Sequence, residues 1–189
     1  MLQQRLLLEE QMQFRSRKLL LLALVVLTVN DGCSSSETGT SVFVVSSLQR
    51  ILQNEVDING DEKAEISCAK GESESFQIIV LNKTGQTLPA IDLSLGNWSY
   101  KGDEPPKAVP TIEMFREHYV QLTRPSGRTK RKLGMYPDAL VPFINPYTGR
   151  RITKAKYLAS KQNVEPKSNQ GYWIDITANR NITAGRYQN

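Results

Sequence analysis

The chain has 189 residues, a formal net charge of +5, one histidine and two cysteines. That length suits a single domain with a core of its own, and the composition excludes a disordered or collagen-like chain. Two cysteines do not make a disulfide scaffold. The modest basic excess falls in loop-like runs, residues 124–132 and 150–156, with no nucleic-acid motif beside them.

Taken in chain order, Arg15, Arg17 and Lys18 precede an uncharged apolar run over residues 19–29. The run falls short of the roughly 20 residues a membrane-spanning helix needs, and its length suits the hydrophobic stretch of an export signal. Residues 1–33 therefore read as a leader and residues 34–41 as a Ser-rich tether. Gly32-Cys33 followed by Ser34, Ser35 and Ser36 resembles a bacterial lipoprotein junction, although Asn30 stands where an aliphatic residue is usual. Lipidation at Cys33, ordinary cleavage and a retained anchor all stay open. A start at Met12 in place of Met1 gives a leader of ordinary length. The expectation is an exported protein, periplasmic or cell-surface. In the lipidated case it is an outer-membrane lipoprotein, touching the membrane only through leader or lipid.

Beyond the tether the pattern is one of short strands. Residues 42–45 form an apolar strand, and residues 46–53 carry Leu48, Ile51 and Leu52 at helix-like spacing. Asn59-Gly60-Asp61 turns the chain into an alternating strand at 64–68, where Cys68 is in phase with Ala64 and Ile66 and so reads as a buried thiol. Residues 75–82 place Phe76, Ile78 and Val80 on one face, with Ser75, Gln77 and Ile79 on the other. Ile91, Leu93 and Leu95 alternate in the next strand, and Pro105, Pro106 and Pro110 mark a loop. Residues 111–122 set Ile112, Met114, Arg116, His118 and Val120 against Glu113, Phe115, Glu117 and Tyr119. A long two-faced strand fits, with a helix over 113–119 as the alternative. Pro137 and Pro142 make residues 136–144 read as irregular. Residues 145–171 read as loop, with one helical turn near 154–160. Residues 172–177 form the last clear strand, before the turn Ala184-Gly185-Arg186-Tyr187. Short strands separated by turn signals predict an all-β antiparallel sandwich, immunoglobulin-like or jelly-roll-like, over residues 42–189.

Groups for chemistry are scarce. A lone His118 in a strand reads as structural, no cluster has metal-ligand spacing, and no phosphate loop or nucleophile elbow is present. The sequence therefore predicts no metal, no cofactor and no catalytic set. Glu72 and Glu74, two apart, would lie about 7 Å apart on a strand, within the spacing of glycosidase acid pairs. No cleft residues accompany them, so an acidic turn that caps backbone N–H groups is the stronger reading. Among the aromatics, Trp98 and Tyr100, near a Gly/Asp turn, are the better candidates for stacking on a ligand. Trp173, beside Ile174 in a strand, reads as core.

Three segments carry a resemblance. They are Lys70-Gly71-Glu72-Ser73-Glu74-Ser75-Phe76-Gln77, then Tyr136-Pro137-Asp138-Ala139-Leu140-Val141-Pro142, then Tyr172-Trp173-Ile174-Asp175-Ile176 with Ala184-Gly185-Arg186-Tyr187. In this order they resemble the N-terminal β-sandwich domain of glycoside hydrolase family 123-like proteins, including bacterial proteins with the domain called DUF4091. The resemblance covers residues 42–189. It implies a module that precedes a (β/α)₈ barrel, where the family keeps the acid pair of a substrate-assisted N-acetylhexosaminidase. By that resemblance the chain stops short of the barrel and is not itself an enzyme. Its partners are then the barrel and, in the rival reading, a glycan, with no nucleic acid. Gly71, Glu72, Glu74, Phe76, Gln77, Pro137, Trp173, Gly185 and Tyr187 are then signature residues with structural roles. Trp173 is expected in the core, and Gly185 at a turn. Trp98, Tyr100, Tyr136 and Asp138 are candidate glycan or barrel contacts. The rival readings are a carbohydrate-binding module that acts alone, or a surface interaction domain that uses the basic loop at 124–132.

Overall fold

The computed structural model describes residues 39–102, 104–124 and 133–189, and the backbone of two short strands that precede them. In chain order the strands are β1 (Leu19–Ala23), β2 (Val25–Val26), β3 (Thr40–Ser46), β4 (Ala64–Cys68), β5 (Ser73–Asn82), β6 (Leu88–Ile91) and β7 (Ser94–Leu95). They continue with β8 (Ser99–Lys101), β9 (Thr111–Leu122), β10 (Gly134–Pro142), β11 (Gln162–Val164), β12 (Ser168–Thr177) and β13 (Arg186–Gln188). The fold is all-β. Among the described residues there is no helix, hence none long and apolar enough to cross a membrane.

The largest sheet has five antiparallel strands in the order β10-β9-β12-β5-β3. A second sheet runs β4-β1-β13-β8, with β1 antiparallel to β4 and parallel to β13. Two small pairs, β11-β6 and β2-β7, complete the set. The period-two pattern decides which side of the large sheet is buried. Phe76, Ile78 and Val80 of β5, Met114 of β9, and Tyr172, Ile174 and Ile176 of β12 point to one side. They meet Ala64 and Cys68 of β4 and Tyr187 of β13, so the two larger sheets share one core, an arrangement consistent with a β-sandwich. Cys68 is a free thiol in that core, and burial raises its pKa, as do the nearby carboxylates of Glu74 and Glu72.

The opposite side of the large sheet is covered only in part. A non-helical segment over residues 47–60 folds back on it, and Ile51 and Ile58 bury themselves against Val45, Ile79 and Leu81. Ile79 and Leu81 are fully buried there, worth ~1.5–3 kcal/mol each. That is why β5 is apolar on both faces from Ile78 to Leu81. Two side-chain amides fasten the segment. Gln77 Nε2 donates to Ser46 O and Gln49 O at 2.8 Å each, and Asn169 Nδ2 donates to Leu52 O at 2.8 Å and Glu55 O at 2.7 Å.

Several expectations are corrected. Helix-like spacing at residues 46–53 gives turns: Ile51 packs on the sheet from an irregular backbone, while Leu48 is exposed. Residues 154–160 form bends and no helical turn. Residues 136–144 are mainly the strand β10. Its prolines are tolerated because β10 is an edge strand and carries a β-bulge between Pro137 and Ala139. Part of the span read as loop, 145–171, is strand: β11 and the first residues of β12. The helix alternative over 113–119 falls, since β9 is extended from Thr111 to Leu122.

Of the leader, only β1 and β2 are described, as backbone. The remainder, Cys33 and residues 34–38 of the tether lie outside the described residues, as do residues 125–132 of the basic loop.

Candidate functional site

Uncovered sheet surface remains beside the 47–60 segment, and it forms a groove of about 570 Å³. Its floor is the outer face of neighbouring strands: Gln77 of β5, Trp173 of β12 and Glu117 of β9. Residues 47–50 form one side. The edge strand β10, through Pro137, Asp138 and Leu140, forms the other. A smaller depression of about 250 Å³ shares Arg50, Pro137 and Asp138 with it and continues past Tyr136 and Gln121.

The bulge explains how Asp138 reaches the rim. Pro137 pairs with Tyr119 and Ala139 with His118, so Asp138 is the extra residue with no partner across the ladder. A bulge re-aims one side chain in this way, and such bulges are common beside functional sites.

Trp173 corrects an expectation. It alternates with Tyr172 and Ile174, which are fully buried in the core, so its own indole lies on the outer face, half-buried in the groove. Its Nε1 donates to Asp175 Oδ1 at 2.6 Å, and Ser75 Oγ donates to the same oxygen at 2.5 Å. The ring is therefore held in one orientation before anything binds.

Glu117 is the unusual group. It is 3 % exposed, and its Oε2 has no hydrogen-bond partner among the described residues. Burial pushes its pKa up from 4.5 to about 7. The space for this carboxyl comes from Gly171, across the sheet on β12. A Cβ there would lie 2.2 Å from Glu117 Oε2 and 3.2 Å from the Tyr119 hydroxyl. The β9–β12 ladder is registered only from Arg116–Tyr172 onward, and side chains take over at Gly171. Gly171 N donates to Tyr119 Oη at 3.0 Å, Tyr119 Oη donates to Asn169 Oδ1 at 2.9 Å, and Gln170 Nε2 donates to Glu117 O at 2.8 Å. Burial raises the Tyr119 pKa, and the Glu117 charge adds to the effect. On the inner face Arg116 is also buried. Its Nε donates to Leu158 O at 2.9 Å, and desolvation lowers its pKa.

The remaining sequence-derived candidates fall elsewhere. Trp98 and Tyr100 belong to the second sheet's side of the core and contact Tyr187, Trp98 edge-to-face with ring centroids 6.3 Å apart and Tyr100 tilted over it at 4.8 Å. They are apart from Tyr136 and Asp138, which border the groove system on β10. Tyr187 is fully buried, its hydroxyl donating to Thr183 O at 2.7 Å. Gly185 adopts no left-handed backbone. A Cβ there would meet the Tyr100 ring at 2.5 Å, so close packing and not turn geometry requires the glycine. Gly71 does need its freedom, with φ at 88°, and its N–H donates to Ala178 O. Glu72 Oε2 accepts the Ala69 N–H at 2.8 Å beside that turn. Glu72 and Glu74 are exposed and do not line the groove, whereas Phe76 is core. His118 stacks against Tyr157 at 4.8 Å.

Among the described residues no group of three His, Cys, Asp or Glu side chains could hold a metal ion. Glu117 and Gly171 were missed by reasoning from sequence. The available signal was an acid sharing a strand face with Phe115 and Tyr119, in phase with apolar neighbours. No family model matches the chain, and no curated protein matches it.

Proposed function

We propose that this chain is the non-catalytic β-sandwich module, immunoglobulin-like or jelly-roll-like, of an exported glycoside hydrolase-like protein of the N-acetylhexosaminidase type. Its partner is a (β/α)₈ barrel outside these residues. One observation supports this reading above the others. The signature segments at residues 70–77, 136–142 and 172–176, far apart in sequence, meet in one sheet through β5, β10 and β12, while Ala184-Gly185-Arg186-Tyr187 leads into β13 of the second sheet. Their inward residues pack the core, while their outward residues Gln77, Pro137, Asp138 and Trp173 line one groove. Outward residues that converge in this way suit a working surface as well as a fold. In this reading residues 1–33 direct export, with Cys33 as the lipidation point, and processing there removes β1 from between β4 and β13.

The test is activity of the pure chain against an aryl N-acetylgalactosaminide. No turnover is expected. Turnover that disappears in Glu72→Gln would overturn the proposal. The mass of the mature N-terminus tests the leader: a lipid adduct on Cys33 supports lipidation, and a free Cys33 thiol rejects it. A second reading, a carbohydrate-binding module that acts alone, is favoured by the outward, fixed indole of Trp173.

A further inference from the structure

We propose that the outer-face groove is a binding site for a neutral glycan of at least two sugar rings, with Trp173 as the stacking platform and Glu117 and Asp138 as hydroxyl acceptors. This gives the carbohydrate-binding reading a defined site, and it holds whether or not a barrel adjoins the module.

The ligand class follows from the lining. The main groove lies within the usual range of about 300–1,000 Å³ for small-molecule sites, and the depression past Tyr136 extends it. An apolar ligand would desolvate Ser47, Gln49, Arg50, Asp138 and Glu117 without replacing their hydrogen bonds. A free anion would face Asp138 and Glu117, and a free cation would face Arg50. A neutral molecule with one apolar face and a rim of hydroxyls meets none of these penalties. It can lay its C–H face on the indole, which the bond to Asp175 already orients. Its hydroxyls can donate to the carboxyl groups of Glu117 and Asp138, both of which line the groove. Since Asp138 borders both depressions, a second ring can continue along β10 toward Tyr136.

Binding by hydroxyl donors favours the ionised form of Glu117, so affinity should rise as pH passes upward through about 7.

The test titrates the full chain with cellobiose, N,N′-diacetylchitobiose, lactose and N-acetylgalactosamine, and with adenosine as a stacking control. The readouts are calorimetry and the Trp173 indole resonance, assigned by its loss in Trp173→Phe. Saturable binding of a sugar is expected, weakened roughly tenfold by Trp173→Ala. Asp138→Ala, at an exposed bulge, should weaken it severalfold without disturbing the fold. Glu117→Gln should remove its pH dependence. If Trp173→Ala fails to fold, Trp173→Phe and Asp138→Ala carry the test. Sugar binding unchanged in Trp173→Phe and Asp138→Ala overturns this site but leaves a carbohydrate-binding module with another face. No heat with any sugar overturns both, as does adenosine binding as tightly as the best sugar.

Discussion

Glu117 offers the sharpest test of the groove's electrostatics. Its carboxyl is buried over Gly171, and its pKa lies near 7 in place of 4.5. An acid whose pKa is raised on folding binds its proton more tightly in the folded chain. Stability is therefore highest below pH 4.5, falls as pH rises toward 7, and is flat above that. At about 1.4 kcal/mol per pH unit, the span from 4.5 to about 7 is a penalty of roughly 3 kcal/mol at pH 8. Glu117→Gln keeps the shape and removes the ionisation. Relative to the parent chain, and apart from a constant offset, the variant should gain roughly 2–3 kcal/mol between about pH 5 and about pH 8. That difference is roughly 6–12 °C in melting temperature for a chain of this size. Urea unfolding followed by tryptophan fluorescence from about pH 5 to about pH 8 measures it. Any gain or loss from the new amide's own hydrogen bonds is independent of pH, so the slope carries the test. Stability curves for variant and parent that run parallel across this range would refute the reasoning.

Other consequences are open to measurement. Gly171→Ala drives a Cβ into Glu117 Oε2 and crowds the Tyr119 hydroxyl; it should cost about 1–3 kcal/mol. By expelling the carboxyl toward water it should also flatten the pH dependence described above, which the same denaturation series would detect. Asn82 Nδ2 donates to Gln86 O, Val164 O and Glu165 O from a fully buried position. Asn82→Ala should therefore lower unfolding free energy by roughly 2–4 kcal/mol, and an effect under about 0.5 kcal/mol would count against these bonds. A chain of residues 34–189 lacks β1, which pairs with β4 on one side and β13 on the other. Amides of Ala64–Cys68 and Arg186–Gln188 should then exchange faster by mass spectrometry, and the chain should self-associate with concentration. Unchanged protection at both strands would show that β1 is dispensable.

Sequence alone determined the buried faces of β5 and β9, where side chains alternate, but not the strand read at Ile91, Leu93 and Leu95, which is split between β6 and β7 with residues 92–93 outside both and Leu95 exposed. Phe76, Ile78 and Val80, and Met114 with Ile112, declare the core side because period two leaves an apolar row only one place to go. It also placed the Gly71 turn and the buried Cys68 thiol, both decided by local chemistry. It could not place Trp173, because a large aromatic beside Ile174 satisfies a buried pattern as well as an exposed one. Only the register of β12 between β5 and β9 turns that indole outward. The bulge at Asp138 depends on pairing with β9, and two prolines concealed the strand that carries it. The groove itself is a tertiary product. It exists because residues 47–60 cover only part of one sheet face, and because Gly171, 54 positions from Glu117, leaves room for a carboxyl to lie buried with one oxygen unpartnered among the described residues.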